Sequence, residues 1–118
     1  MADFNFEKLI VYQKSIELSV ILTKIASRFP YKFKRIQDQL IGAAISIPLN
    51  IAEGSGRYNP KEKQQFYKIA QASAFELIAV LDICDGLNLL KRSEWDETIT
   101  EICKMLSVLI RPKLKTKN

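Results

Sequence analysis

Apolar residues recur along this chain at three- and four-residue steps, in four stretches punctuated by glycine and proline, and nowhere alternate as a strand requires. The first stretch runs from about Phe4 to Phe29 and is expected to stop at Pro30, because a residue before proline resists the helical conformation. At about 100° per residue, Val11, Leu18, Leu22, Ile25 and Phe29 share one stripe. Leu9, Tyr12, Ile16 and Val20 share another, roughly 160° away. A helix on the outside of a monomer needs one stripe; two predict burial on both sides.

The second helix is expected from Phe33–Arg35 to about Gly54. Ile36, Leu40, Ala44, Ile47 and Ile51 form its core stripe, Ile41, Ile45, Leu49 and Ala52 an adjacent apolar flank. The other flank carries Gln39, Gly42, Ser46, Asn50, Glu53 and Arg57. For the third helix Asn59 is a natural N-cap, Pro60 suits the first helical position, and Glu62 stands where a capping box would use it. Phe66, Ile69, Ala70, Ser73, Leu77, Leu81 and Cys84 then recur at core spacing, with an end expected between Gly86 and Leu90. Glu76, beside that stripe, is expected to make an interhelical polar contact. Ser93 reads as the cap of a fourth helix, with Asp96 three residues on and Trp95, Ile99, Ile102, Leu106, Leu109 and Ile110 as its buried face. Pro112 marks its end. Short connections between long helices predict one all-α domain over residues 1–112, an antiparallel up-down-up-down four-helix bundle, followed by a fraying basic tail at 113–118.

Pro48 falls inside the second apolar pattern, where it removes a backbone donor and crowds the carbonyl of Ala44, at a cost of about 3 kcal/mol or more in a helix interior. Gly42, Ala43, Ala44 and Ser46, just before it, are small enough for a neighbouring helix to approach closely. Glu53 and Arg57 have the spacing of a helical ion pair, with Gly54 and Gly56 between them working against helical geometry. Two readings stand: a kinked core helix with solvated polar residues, or specific polar contacts by Ser46, Asn50, Glu53 and Arg57 at a subunit boundary.

Ser46-Ile47-Pro48-Leu49-Asn50-Ile51-Ala52-Glu53-Gly54 resembles the signature of the 23S rRNA-intervening sequence proteins, a family of small bacterial four-helix bundle proteins. Leu9-x-Val11-Tyr12-Gln13-Lys14 is similar to the family's opening Leu-x-Val-Trp-Gln-Lys, and Phe29-Pro30 to its Phe-Pro helix stop. Gln39 followed by Ala43-Ala44 resembles Gln-x-Arg-Arg-Ala-Ala. Arg57, Phe66 and Ser73-x-x-Glu76-Leu77 fit the third-helix pattern. The chain departs from that pattern at Ile41-Gly42, in place of the Arg-Arg pair, and at Gln71-Ala72, in place of Arg-Gly, so three phosphate contacts the pattern implies are missing. The resemblance implies a toroidal homopentamer, with genes often lying inside ribosomal RNA intervening sequences.

Charge and composition then limit the chemistry. With 18 Lys+Arg against 13 Asp+Glu, the 118-residue chain carries a net charge of +5, which suits a polyanionic partner without requiring one. Three basic stretches stand out. Lys24, Arg28, Lys32, Lys34 and Arg35 crowd the first turn around Tyr31 and Phe33, while Arg57, Tyr58, Lys61 and Lys63 occupy the second. Arg111, Lys113, Lys115 and Lys117 lie at the C-terminal end. Cations beside aromatic rings suit phosphate contact with base stacking, so Lys32, Lys34, Arg35, Arg57, Tyr58, Lys61 and Lys63 are the expected nucleic-acid contacts. The competing reading is a scaffold whose ring recruits another protein.

The chain contains no histidine, the commonest general base and transition-metal ligand, and no phosphate-cradling glycine motif. Neither an enzyme nor a cofactor is expected. Cys84 and Cys103 fall within helical apolar patterns, where free thiols behave as small hydrophobes. No apolar run approaches the ~20 residues of a membrane span, and the first residues lack a signal-peptide pattern, so a cytoplasmic location is expected.

Overall fold

The periodic stretches become helices α1 (Ile10–Ala26), α2 (Lys34–Ser55), α3 (Pro60–Gly86) and α4 (Asp96–Ile110) in the computed structural model, which describes residues 4–112. No strand occurs among the described residues. No helix among them is long and apolar enough to cross a membrane. The predicted tail at 113–118 lies outside the described residues.

All four helices contribute to one apolar core, in which Leu22, Leu40, Ile47, Leu77, Leu81, Ile102 and Leu106 are fully buried. α1 is shorter than its periodicity predicts. Asn5–Lys8 form a 3-10 turn, and Leu9 is extended at φ −71° and ψ 126° before α1 begins. Ring contacts hold this entry: Phe4 stacks on Phe6 at 5.9 Å, and Phe6 meets Tyr12 edge-on at 5.0 Å. Gln13 Nε2 donates to Glu7 O at 2.9 Å, tying the turn to the first turn of α1.

Asn59 caps α3 as expected, accepting from the Lys61 N–H at 2.8 Å, but the box does not close through Glu62. At the far end of α3 the glycine is not the left-handed residue. Gly86 is the last helical residue, and Asn88 takes the positive φ of 61°. Leu89 N–H donates to Cys84 O and Asn88 N–H to Asp85 O, each at 2.9 Å, the double bond pattern of a Schellman end. The expected Ser93 cap of α4 is also replaced. Arg92–Trp95 form a 3-10 turn, and Arg92 organises it with bonds to Asp85 Oδ2 (2.9 Å), Asp96 Oδ1 (3.0 Å) and Asp82 Oδ1 (3.2 Å).

Two core stripes are rephased. Ile25 of α1, and Phe29 beyond its end, are only half-buried, while Ser15, Ser19 and Ala26 are buried alongside Val11, Leu18 and Leu22. On α3, Tyr67, Ala74 and Val80 turn inward and Ile69 stays exposed. Small residues explain the second change. Ala43 and Ala44 on α2 and Ala70 and Ala74 on α3 are buried, and at Gly54 an added Cβ would stand 2.9 Å from Tyr67 Cε1 and 3.0 Å from Phe66 Cβ. The two helices therefore close to a distance that glycine alone admits, which turns Tyr67 into the contact.

Pro48 sits within a continuous α2. The carbonyl its missing N–H would have satisfied, Ala44 O, accepts instead from the buried hydroxyl of Ser19 on α1 at 2.8 Å. The single Ser19 proton is shared with Ser15 O at 2.7 Å. A side chain from another helix thus answers the backbone defect, which would otherwise leave a buried acceptor bare at about 1–3 kcal/mol.

Candidate functional site

The basic residues anticipated for nucleic acid fall into two clusters at opposite ends of α2. Its 22 residues, at about 1.5 Å rise each, separate them by roughly 33 Å, so the chain does not bring them together as a single patch. At the α1–α2 end, Lys32 Nζ stands 5.2 Å over the Phe33 ring. Lys34 pairs with Asp38 at 2.8 Å. Arg35 is exposed, and Tyr31 presents 87% of its surface to solvent.

At the α2–α3 end helical geometry persists across Gly54, and the Glu53–Arg57 pair forms at 3.2 Å. The Arg57 guanidinium also lies 4.8 Å from the centroid of the Phe66 ring. Tyr58 is fully exposed and Lys61 exposed. Lys63 instead holds the helix end together. Its ammonium donates to Ser55 O at 3.0 Å and Gly54 O at 3.5 Å, capping the last carbonyls of α2. A cation at a helix C-terminus also complements the helix dipole.

The residues assigned to a subunit boundary divide in the same way. Ser46 Oγ shares a proton with Ser73 Oγ at 2.7 Å across the α2–α3 seam. Asn50 Nδ2 donates to Ser46 O at 2.8 Å and to Ser46 Oγ at 3.0 Å. Ser46 and Asn50 thus bond within the chain, while Glu53 and Arg57 face outward. Gln71, where the family pattern has arginine, is likewise engaged inside the chain, donating to Cys103 O (3.2 Å) and Ser107 Oγ (2.9 Å) on α4. Glu76 is exposed and makes no interhelical polar contact.

Half of the second stripe of α1 stays outside the core, while Leu9 and Tyr12 pack against it. Ile16 and Val20, with Ile45 and Leu49 of α2, remain exposed and line a cavity of about 440 Å³ beside Pro48, in which Leu49 is 63% exposed. Elsewhere on α1, Lys14 pairs with Glu101 of α4 at 2.7 Å, and hydrogen bonding to that carboxylate raises its pKa. Arg92 is raised likewise, by its hydrogen bond to Asp82 and the charge of Asp96. Cys84 and Cys103 are free thiols, both pushed up by burial. Among the described residues no group of three or more His, Cys, Asp or Glu is placed to hold a metal ion.

Sequence reasoning misses Ser15, Ser19 and Phe6. Ser15 flanks the Val11–Leu18–Leu22 stripe and Ser19 falls between the two apolar stripes of α1, so polarity and position both hide them. Phe6 merges, in the periodic pattern, into a continuous first helix.

Among known proteins, the family model described as "23S rRNA-intervening sequence protein" matches residues 7–111. No curated protein matches the chain.

Proposed function

Because the chain belongs to the 23S rRNA-intervening sequence protein family, we propose that it acts as a non-enzymatic, homo-oligomeric bundle that binds RNA. The observation that carries the RNA reading is the α2–α3 turn, where Arg57 lies over Phe66 while the neighbouring Tyr58 and Lys61 face solvent. Cations and aromatic rings in one short segment offer phosphate contact and base stacking together. The absence of histidine supports a binding role over catalysis.

The oligomer is supported by the exposed apolar groove of Ile16, Val20, Ile45 and Leu49. Such a face beside a complete core marks a contact surface. A second copy would cover it, and a closed ring of five is the form the family resemblance implies. A ring would also bring basic clusters of several protomers onto one RNA and raise avidity.

An antiparallel up-down-up-down course belongs to the same reading. Ser19 meets Ala44 and Ala26 meets Gln37; Ser46 meets Ser73 and Ser55 meets Tyr67; Gln71 meets Cys103 and Gln64 meets Ile110. In each set the residue numbers rise on one helix as they fall on the other. A cytoplasmic location completes the reading, and free thiols at Cys84 and Cys103 fit a reducing compartment.

Two measurements test it. Light scattering at micromolar concentration is expected to give a mass several times 13.5 kDa, and a strict monomer refutes the oligomer. Neutralising Lys32, Lys34 and Arg35 together is expected to abolish binding to structured RNA. Unchanged binding refutes the role of that cluster. Nuclease-resistant capture of a single protein, with no RNA bound, points to the scaffold reading instead.

A further inference from the structure

Two residues with an idle hydrogen-bond acceptor line one cavity at the α2–α3 end. Asn50 Nδ2 donates to the backbone carbonyl of Ser46. A carbonyl only accepts, so this bond fixes the amide's orientation and leaves Oδ1 without a partner among the described residues. Three residues on, Glu53 gives Oε1 to Arg57 and keeps Oε2 open. Both side chains line a cavity of about 560 Å³ walled by Phe6, Leu49, Ala52 and Phe66. That volume is within the ~300–1,000 Å³ of ordinary ligand sites. Phe6 reaches it from the 3-10 turn before α1 and Phe66 from α3, so separate parts of the chain build it.

We propose that this cavity takes an unpaired guanine of a bound RNA, a deepening that rests on the RNA-binding reading above. Asn50 Oδ1 and Glu53 Oε2 accept its N1–H and N2–H₂ donors, Phe6 and Phe66 supply aromatic walls, and Arg57 and Lys61 meet the adjoining phosphates. Proteins read single-stranded RNA this way, stacking a splayed base on aromatic side chains and bonding its Watson–Crick edge. Guanine is the base whose edge carries two adjacent donors. Adenine and cytosine set one amine beside a ring acceptor, and uracil sets one N–H between two carbonyls. Each of those acceptors would face Glu53 or Asn50 oxygen and be repelled.

The competing donor-rich ligand is an arginine or lysine side chain of a protein. Arg57 argues against it, because its guanidinium already pairs with Glu53 and stands over Phe66. A second cation would enter beside a like charge, whereas a neutral base brings no such repulsion and its phosphate is attracted. The net charge of +5 adds to that attraction for a polyanion.

Fluorescence anisotropy with short labelled oligouridines, plain or carrying one central guanosine, adenosine or cytidine, tests the assignment. The guanosine oligomer is expected to bind at least about fivefold tighter than the others, the lower end of what one good bidentate contact discriminates. Glu53→Gln, at an exposed position, replaces one carboxylate oxygen with a donor. It is expected to erase the preference while leaving oligouridine affinity no weaker and the circular dichroism spectrum unchanged. Equal affinity for all four oligomers, or a preference that survives Glu53→Gln, overturns the guanine pocket and leaves RNA binding standing. Failure of the folded protein to bind any of these oligomers or structured RNA overturns both. Glu53-dependent binding of an arginine-rich peptide that displaces the RNA overturns the assignment in favour of a protein ligand.

Discussion

Gly54 and Gly42 lie on the same helix, and alanine is expected to act on them with opposite signs. Neither has a positive φ, so backbone strain enters neither substitution. Both gain the same conformational benefit, about 0.5–1 kcal/mol for replacing a helical glycine. At Gly42 an added Cβ meets nothing within 4 Å, so the gain stands alone. At Gly54 the Cβ would lie 2.9 Å from Tyr67 Cε1 and 3.0 Å from Phe66 Cβ. The Tyr67 ring is held by a 3.1 Å bond between its hydroxyl and Ser55 Oγ, and Phe66 Cβ moves only with the backbone of α3. Relief therefore requires shifting α3, at the roughly 1–3 kcal/mol typical of overpacking. Because the propensity gain cancels between the two variants, the difference in their stabilities isolates the clash. Urea unfolding followed by circular dichroism, at matched protein concentration because assembly shifts the midpoint, is expected to place Gly42→Ala above the parent and Gly54→Ala about 1–3 kcal/mol below Gly42→Ala. If Gly54→Ala is as stable as Gly42→Ala, the close α2–α3 approach is refuted.

Ser19→Ala is expected to destabilise the fold by about 1–3 kcal/mol, because it strips the donor from Ala44 O. In a Pro48→Ala background, where an intrahelical N–H is restored to that carbonyl, the loss is expected to shrink by about 1 kcal/mol in a double-mutant cycle; strict additivity would refute the pairing. The two buried thiols give a pH dependence. Burial raises Cys84 and Cys103 in the folded state, so unfolded chains release these protons first. Their contribution is fully present below the ordinary thiol pKa of about 8.5 and is lost as pH rises from there through the raised folded values. Cys84→Ala/Cys103→Ala is expected to flatten the alkaline limb of an unfolding profile; an unchanged limb would contradict the assignment.

The helices were legible because their apolar residues repeat at 3.6-residue intervals and because proline and glycine mark the breaks. What local pattern could not supply was the choice made by a neighbouring helix. Ile69 and Tyr67 lie about 160° apart around α3, on nearly opposite sides, and the close approach at Gly54 places the Tyr67 side against α2. Ser19 lies between the two apolar stripes of α1, and its role is visible only once α1 lies against the defect at Pro48. The start of α4 differs for a related reason: Ser93 has the chemistry of a cap, yet the bonds of Arg92 to three aspartates, two of them on α3, fix the turn first.

The candidate site was legible to the same degree. Clusters of cations and aromatic rings could be read directly, and the Glu53–Arg57 spacing held. Which cations remain open to a ligand depended on packing: Lys63 caps α2, Lys34 and Arg57 each pair with a carboxylate, and Lys61 faces solvent. The wide apolar arcs of α1 and α2 survive as the exposed groove of Ile16, Val20, Ile45 and Leu49.

The central claim is that a basic bundle binds RNA through these surface cations. Its most direct test is the affinity for a structured RNA measured across a salt series. If about four cations each neutralise a phosphate, log K falls against log salt with a slope on the order of −3 to −4, a loss of roughly a hundredfold between 50 and 200 mM salt. A steep slope of that kind, shallower in Arg57→Ala/Lys61→Ala, is the result the account predicts. Undetectable binding at low salt, or an affinity that salt leaves unchanged, would contradict it.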